Sequence, residues 1–372
     1  MSRQRHVPEC SPHDPPAVAQ STERRLDGGA NHPGKAATPN GNSDASHQFW
    51  RDSIAPHEQP SLPRSLFDLA TSVVPYLALT VVMYLSLSFS VWLTLALAVP
   101  AAGFLLRTFI VFHDCAHGSF LSNRRANLWL GRATSLLVFQ AFGNWRHKHA
   151  VHHGTAGDLD RRGTGDVMTL TVEEYSSRPW KQRLGYRLFR NPLVMFGLGP
   201  IWSLMIGPRF WSRKMRRRQR HSVIETNLVL MVIVGAIIWL FGVYAWVLVQ
   251  VPTAILAGTL GVWMFYVQHQ FEDVYWESSE QWSYSAAALR GSSYLKLPKV
   301  FQFFSGNIGL HHVHHLSAKV PNYNLQRAHD EIAIFHDVPV LTYRDGLRSI
   351  RLKLIDSKSG RLLTWNEAKS QA

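Results

Sequence analysis

The chain has 372 residues, 46% of them hydrophobic, and a formal net charge of +14 from 39 Lys+Arg against 25 Asp+Glu. It carries only two cysteines, Cys10 and Cys115, which excludes a disulfide framework and fits a reducing compartment. Large apolar residues are scarce near the N-terminus and concentrated in two long charge-free runs, which argues against an ordinary soluble globular protein.

Residues 1–60 are rich in Pro, Gly, Ser, Asn and charge and predict a disordered cytoplasmic tail; they lack the apolar core of a secretory signal. Residues 61–372 are expected to form one membrane domain. From Leu69 to Leu106 there are 38 residues without a charge, and from Thr226 to Phe271 there are 46 more. One span takes about 20 residues, so each run accommodates two helices joined by a tight turn. The pattern predicts helices at about Leu66–Ser88, Val91–Phe112, Leu228–Val249 and Pro252–Phe271, with turns near Phe89–Ser90 and Gln250–Val251.

The turns carry no Lys or Arg. The outer ends of both hairpins are basic, at Arg51, Arg64, Arg124, Arg125 and the block Arg213–Arg220. Both hairpins should therefore enter from and return to the cytoplasm, leaving both termini there. The same bias accounts for the basic block without a nucleic-acid partner; anionic lipid or an acidic protein could add to it. Leu128–Gly143 and Pro192–Gly207 are apolar but short or broken, and read as interfacial or re-entrant segments. The expected fold class is an all-α integral membrane protein. Two hairpins carry a cytoplasmic cap, 113–227 and 272–372, that is helical in the main.

Histidine is distributed unevenly. Of 19 histidines, ten fall in or beside three clusters, His113-Asp-Cys-Ala-His117, His147-Lys-His149-Ala-Val-His152-His153 and His311-His312-Val-His314-His315; His269 ends the last apolar run. Imidazole is the commonest metal-ligating side chain. Spacings of three and four place rings on a shared helix face. Each group follows a predicted span on the same side of the membrane. His113, His117, His149, His152, His153, His269, His311, His314 and His315 are thus nine candidate ligands, too many for one ion, so two metals are expected. Zinc would take four ligands, often thiolates, and no Cys pair exists; imidazole-rich sites with redox capability suit iron or copper. Cys115, about 200° round the helix from His113, should face away. A site opening toward acyl chains suggests oxidation of a lipid-like substrate. A metal transporter would need coordinating groups at depth in the spans, and a zincin would need Glu where Asp114 stands.

The segments His113–Phe120, Trp145–His153, Gly157-Asp-Leu-Asp-Arg-Arg-Gly163, Tyr266-Val-Gln-His-Gln-Phe-Glu-Asp273, Gly306–His315 and Val320-Pro-Asn-Tyr-Asn-Leu325 resemble the membrane-bound di-iron fatty acid desaturases. The match is to the bacterial acyl-lipid, methyl-end (omega-6/Δ12-like) type and runs from about Ala101 to Leu325. The resemblance implies insertion of a cis double bond into a fatty acyl lipid with O2 and two electrons. It also implies two iron ions held by the nine histidines in a histidine-box centre. With no fused haem domain, the electron donor should be separate and ferredoxin-like or similar, and the membrane is expected to be the bacterial inner membrane. Hydroxylation, ketolation or triple-bond formation on the same frame is the alternative. His147 and His312 are surplus to the pattern. They, with Asp114, Asp158, Asp166 and Asn307, are candidates for orienting the ligands or a metal-bound water; Asp160, Glu272 and Asp273 are also close in sequence.

Overall fold

The computed structural model describes residues 50–371. The predicted tail lies outside the described residues up to residue 49. Residues 50–60 depart from that reading, because Trp50, Ile54 and His57 are buried and Glu58 accepts a hydrogen bond from Ser317 Oγ at 2.6 Å. Two large apolar side chains spaced four apart give this short segment a face to bury, which a composition average over the tail conceals.

Among the described residues four helices are long and apolar enough to cross a membrane: α1 (Leu62–Ser86), α2 (Val91–His117), and, later in the chain, Arg217–Phe241 and Val243–His269. Between them lie α3 (Arg124–Leu137) and α4 (Phe142–Thr155), so the later pair become α5 and α6. Beyond come α7 (Tyr284–Arg290) and α8 (His311–Leu316). The first hairpin turns where predicted: Ser90 caps α2 through the Leu93 N–H, and Ser86 and Thr94 hydroxyls meet at 2.7 Å across the bend. Helix α2 packs against both α1 and α6 and is the inner span, 61% buried against 17% for α5. The large apolar side chains left outward, such as Val81 and Leu85 on α1 and Met231, Val232 and Trp239 on α5, are what a lipid-facing surface requires.

The second hairpin turns eight residues before the predicted point. Gly242, at φ +85° and ψ 156°, separates α5 from α6, and this conformation is essentially confined to glycine. Gln250, placed in the turn from the sequence, is instead buried within α6, where its Oε1 accepts from Tyr76 O–H at 3.4 Å. Pro252 likewise lies inside α6, as Pro75 and Pro100 lie inside α1 and α2. Membrane helices tolerate such prolines because neighbours satisfy the freed carbonyls. Helix α5 also begins early, at Arg217, because its first turns pack on α4. Ser222 Oγ accepts from Gly143 N–H at 2.8 Å, and Gln219 Nε2 donates to Asn144 at 3.3 Å.

The cap contains short strands that the helical expectation omitted. β1 (Leu170–Thr171) pairs parallel with β4 (Leu352–Ile355), which pairs antiparallel with β5 (Leu362–Thr364); β2 (Tyr294–Leu295) pairs parallel with β3 (Val340–Leu341). Such short strands carry too few residues to show alternation, and they persist because Leu170, Leu354, Ile355 and Leu362 are buried between cap elements. The buried Arg190 joins this sheet to α6, donating to the Leu352 carbonyl at 3.0 Å, Gln270 Oε1 at 2.9 Å and Tyr266 O–H at 3.2 Å. The end of α6, where His269 sits, is thereby fixed against the cap.

Gly242→Ala should lower the thermal midpoint of detergent-solubilised protein by the equivalent of about 1–3 kcal/mol. Gly235→Ala, in the interior of α5 with open space around it, should leave the midpoint unchanged or raise it slightly.

Candidate metal centre

Five of the candidate rings, His113, His117, His149, His153 and His314, bring one ligand atom each within 4.8 Å of one another, and His152, His269, His311 and His315 form a second such group. Helix geometry sorts them. Residues four apart lie about 40° apart round an α-helix and those three apart about 60° the other way. On α4, His149 and His153 therefore serve the first group and His152 the second. On α8, His311 and His315 serve the second and His314 the first. Helix α2 runs unbroken to His117, past the predicted end at Phe112, and so carries its i, i+4 pair on one face. His269 is the last residue of α6.

The donor and acceptor pattern decides what these groups can hold. His152 Nδ1–H donates to the Asp166 carboxylate, and His269 Nδ1–H donates to the Gly291 carbonyl at 2.9 Å. Both acceptors lack a proton to return, so each neutral ring keeps a bare lone pair at Nε2. Those two Nε2 atoms stand 3.2 Å apart, and His269 Nε2 is 3.0 Å from His311 Nε2. In the five-histidine group His153 Nε2 lies 3.2 Å from His149 Nε2 and 2.9 Å from His314 Nε2. One ring nitrogen carries at most one proton, so His153 Nε2 either donates to one of these rings or shares its lone pair between both. His117 Nε2 and His315 Nε2 are buried with no hydrogen-bond partner.

Burial first, and then the neighbouring imidazoles, hold His149, His153, His311, His314 and His315 well below the usual histidine range. They are neutral near pH 7, the form that binds metal. Neutral imidazoles that face each other through bare nitrogens repel unless a cation lies between them. Metal–nitrogen bonds of about 2.0–2.1 Å set neighbouring ligand nitrogens about 3 Å apart at right angles and about 3.4 Å at the tetrahedral angle. The observed spacings match that range, so the residues fit a metal in each group.

The supporting residues divide. Asp114 Oδ1 accepts from His113 Nδ1–H at 3.0 Å, and Asp166 serves His152. Asp166 is delivered by a turn at Gly165, φ +79°, where an added Cβ would come within 2.9 Å of the His152 Cβ. Asp158 touches no histidine of either group; it accepts from Asp160 N–H at 2.9 Å and Ser279 Oγ at 2.8 Å and pairs with Arg161, tying down the loop after α4. Asp160 accepts from Ser279 N–H, and Glu272 and Asp273 pair with Arg361.

Asn307, in the left-handed region at φ +57°, turns its amide onto the Asn322 carbonyl at 3.4 Å. His147 and His312 stand outside both groups; His312 is buried against Phe335 and bonds His329 at 3.1 Å. Cys115 packs among apolar residues and joins neither group. Sequence reasoning missed Trp145, which stacks on the His149 ring at 4.4 Å and 25°. It also missed Asn322, whose amide donates to Asp114, and Asp68, which accepts from the same amide.

Mostly helical architecture and four apolar spans define a membrane protein with two histidine groups able to hold metal at one end of its bundle. The family model described as fatty acid desaturase matches residues 90–344. A fatty acid desaturase of Bacillus subtilis is 45% identical over 316 residues, 85% of this chain and 90% of that protein. An sn-1 oleoyl-lipid 12-desaturase of Synechocystis is 27% identical over 61% of this chain and 65% of its own length. An sn-1 acyl-lipid omega-3 desaturase (ferredoxin) from the same organism is 24% identical over 60% and 63%. The chain belongs to the fatty acid desaturase family, and its enzyme class is oxidoreductase.

Metal-stripped protein should gain thermal stability on adding ferrous iron anaerobically, by about 2.7 kcal/mol at a hundredfold excess over the dissociation constant. Gly165→Ala should weaken that gain by disturbing Asp166, whereas His147→Ala should not.

Proposed function

We propose that the protein introduces a cis double bond into the fatty acyl chain of a membrane lipid. The stoichiometry is RCH2CH2R + O2 + 2e− + 2H+ → RCH=CHR + 2H2O. The observation that carries this reading is the pair of imidazole groups whose lone pairs converge at metal-ligand spacing, in a chain of the desaturase family. His113, His117, His149, His153 and His314 would hold one iron, and His152, His269, His311 and His315 the other. Bound iron supplies the activated-oxygen chemistry that an unactivated C–H bond requires. The chain's own groups do the positioning. Asp114, Asp166 and the Gly291 carbonyl keep the Nδ1 protons of His113, His152 and His269 pointing outward, so that the Nε2 atoms face the centre. Burial of the rings keeps water from competing for them.

The named activities of the Synechocystis relatives support an acyl-lipid substrate and a ferredoxin-like electron donor separate from this chain. The basic outer ends of the hairpins support a cytoplasmic face for the centre and both termini. The residues beyond 60 act as one membrane domain in this reading. In a bacterial inner membrane, a cysteine label at Tyr244, beside the observed turn, would be reached from outside and one at Arg217 from the cytoplasm.

Expression in a host lacking polyunsaturated lipids, with fatty-acid profiling and double-bond location, tests the reaction. His152→Ala and His314→Ala, each inserted normally, should abolish new double bonds, and His147→Ala should retain substantial activity. A hydroxylated chain in place of an olefin would keep the metal centre and change the reaction.

A further inference from the structure

Behind the five-histidine group runs a buried polar chain drawn from four separate parts of the sequence. Asp114, whose Oδ1 takes the His113 Nδ1–H, accepts at Oδ2 from the Asn322 backbone N–H at 2.7 Å and from Asn322 Nδ2 at 3.0 Å. Asn322 Nδ2 also donates to Asp68 Oδ2 at 2.9 Å. The other oxygen of Asp68 is paired with the Arg107 guanidinium, which also donates to the Phe303 carbonyl. All four side chains are nearly closed to solvent: Asp68 is 4% exposed, Arg107 8%, Asp114 2% and Asn322 1%. Asp68 lies on α1, Arg107 on α2 six residues before His113, and Asn322 seven residues beyond His315.

Stability alone is a poor reason for this arrangement. A buried ion pair is often no better than apolar side chains of the same volume, and charge within a membrane span is costly. The chain ends on a ligand, and each link restricts the next. The Arg107–Asp68 pair holds the Asn322 amide, Asn322 holds Asp114 with two donors, and Asp114 fixes the tautomer and plane of the His113 ring. We propose that Asp68, Arg107 and Asn322 are positioning residues for the metal in the five-histidine group. Through Asp114 they keep His113 Nε2 aimed at that ion, coupling its retention to the amide link that Asn322 makes between Asp68 and Asp114. The inference rests on the metal reading of the histidine groups.

The experiment is metal retention by the purified full chain. Protein loaded anaerobically with ferrous iron is challenged with a chelator, and iron loss is followed with the thermal midpoint recorded for each variant. Asn322→Ala keeps the backbone donor to Asp114 but removes the amide link. It should speed the loss of one of the two ions by about ten- to a hundredfold and leave the other at the wild-type rate. Asn322→Asp, which sets a third carboxylate between Asp68 and Asp114, should do so more strongly. Asn324→Ala is the control for damage to the same segment. Its amide holds the His57 carbonyl at 3.0 Å and takes Arg64 at 2.6 Å, apart from the polar chain. It should lower the thermal midpoint and release both ions at near wild-type rates.

Wild-type retention of both ions by Asn322→Ala would overturn the proposal and leave the metal reading intact. So would equal loss from Asn322→Ala and Asn324→Ala in step with their thermal midpoints, because the effect would then be general loosening. A wild-type chain that binds no iron would overturn the metal reading itself, and this inference with it.

Discussion

Two neutral imidazoles whose bare ring nitrogens face each other across about 3 Å repel. His152 and His269 each spend their single N–H on an acceptor behind the ring, so the 3.2 Å between their Nε2 atoms separates two lone pairs. His153 Nε2 stands within hydrogen-bond distance of two rings at once, His149 and His314. The chain must hold the His152 and His269 rings against that repulsion until a cation is present. Much of the structure around the centre is explained by that demand: rigid helix ends, acceptors placed behind rings, and dry walls of Phe109, Trp145 and Phe265 against the histidines.

Four helices bring the ligands together, and each does so in a way that limits freedom. Helix α2 leaves the inner bundle and continues without a break to His117; α6 ends at His269, its base tied to the cap through Arg190. Helices α4 and α8 each contribute to both groups, so neither metal group can shift without the other. The interleaving follows from the helical period alone. It means that the two groups behave as one unit joined by two short helices.

The histidine groups were legible in the sequence because imidazole is uncommon, its spacing on a helix is diagnostic, and the charge-free runs placed every cluster on one side. Asp166 and Asp114 were legible only as acids near ligands, among others such as Asp158 and Asp273 that turned out to bind serine or arginine. The second turn lies earlier than expected because Pro252, a common first residue of a helix, stands inside α6. Tyr76 reaches Gln250 from outside the helix, while Gly242 carries a backbone conformation that composition does not reveal. Asp68 and Asn322 were missed for a different reason. Their partners lie more than 200 residues apart in sequence, and only the docking of the later segment on the first hairpin brings them together. An acid at the start of an apolar span was the available signal, since charge there demands a partner.

The central claim is that the two imidazole groups hold two separate irons. Anomalous scattering recorded at the iron edge from the purified protein tests it directly. The account predicts two iron peaks, one enclosed by His113, His117, His149, His153 and His314, the other by His152, His269, His311 and His315. A single peak shared between the groups, or peaks that follow the zinc edge instead, would contradict it.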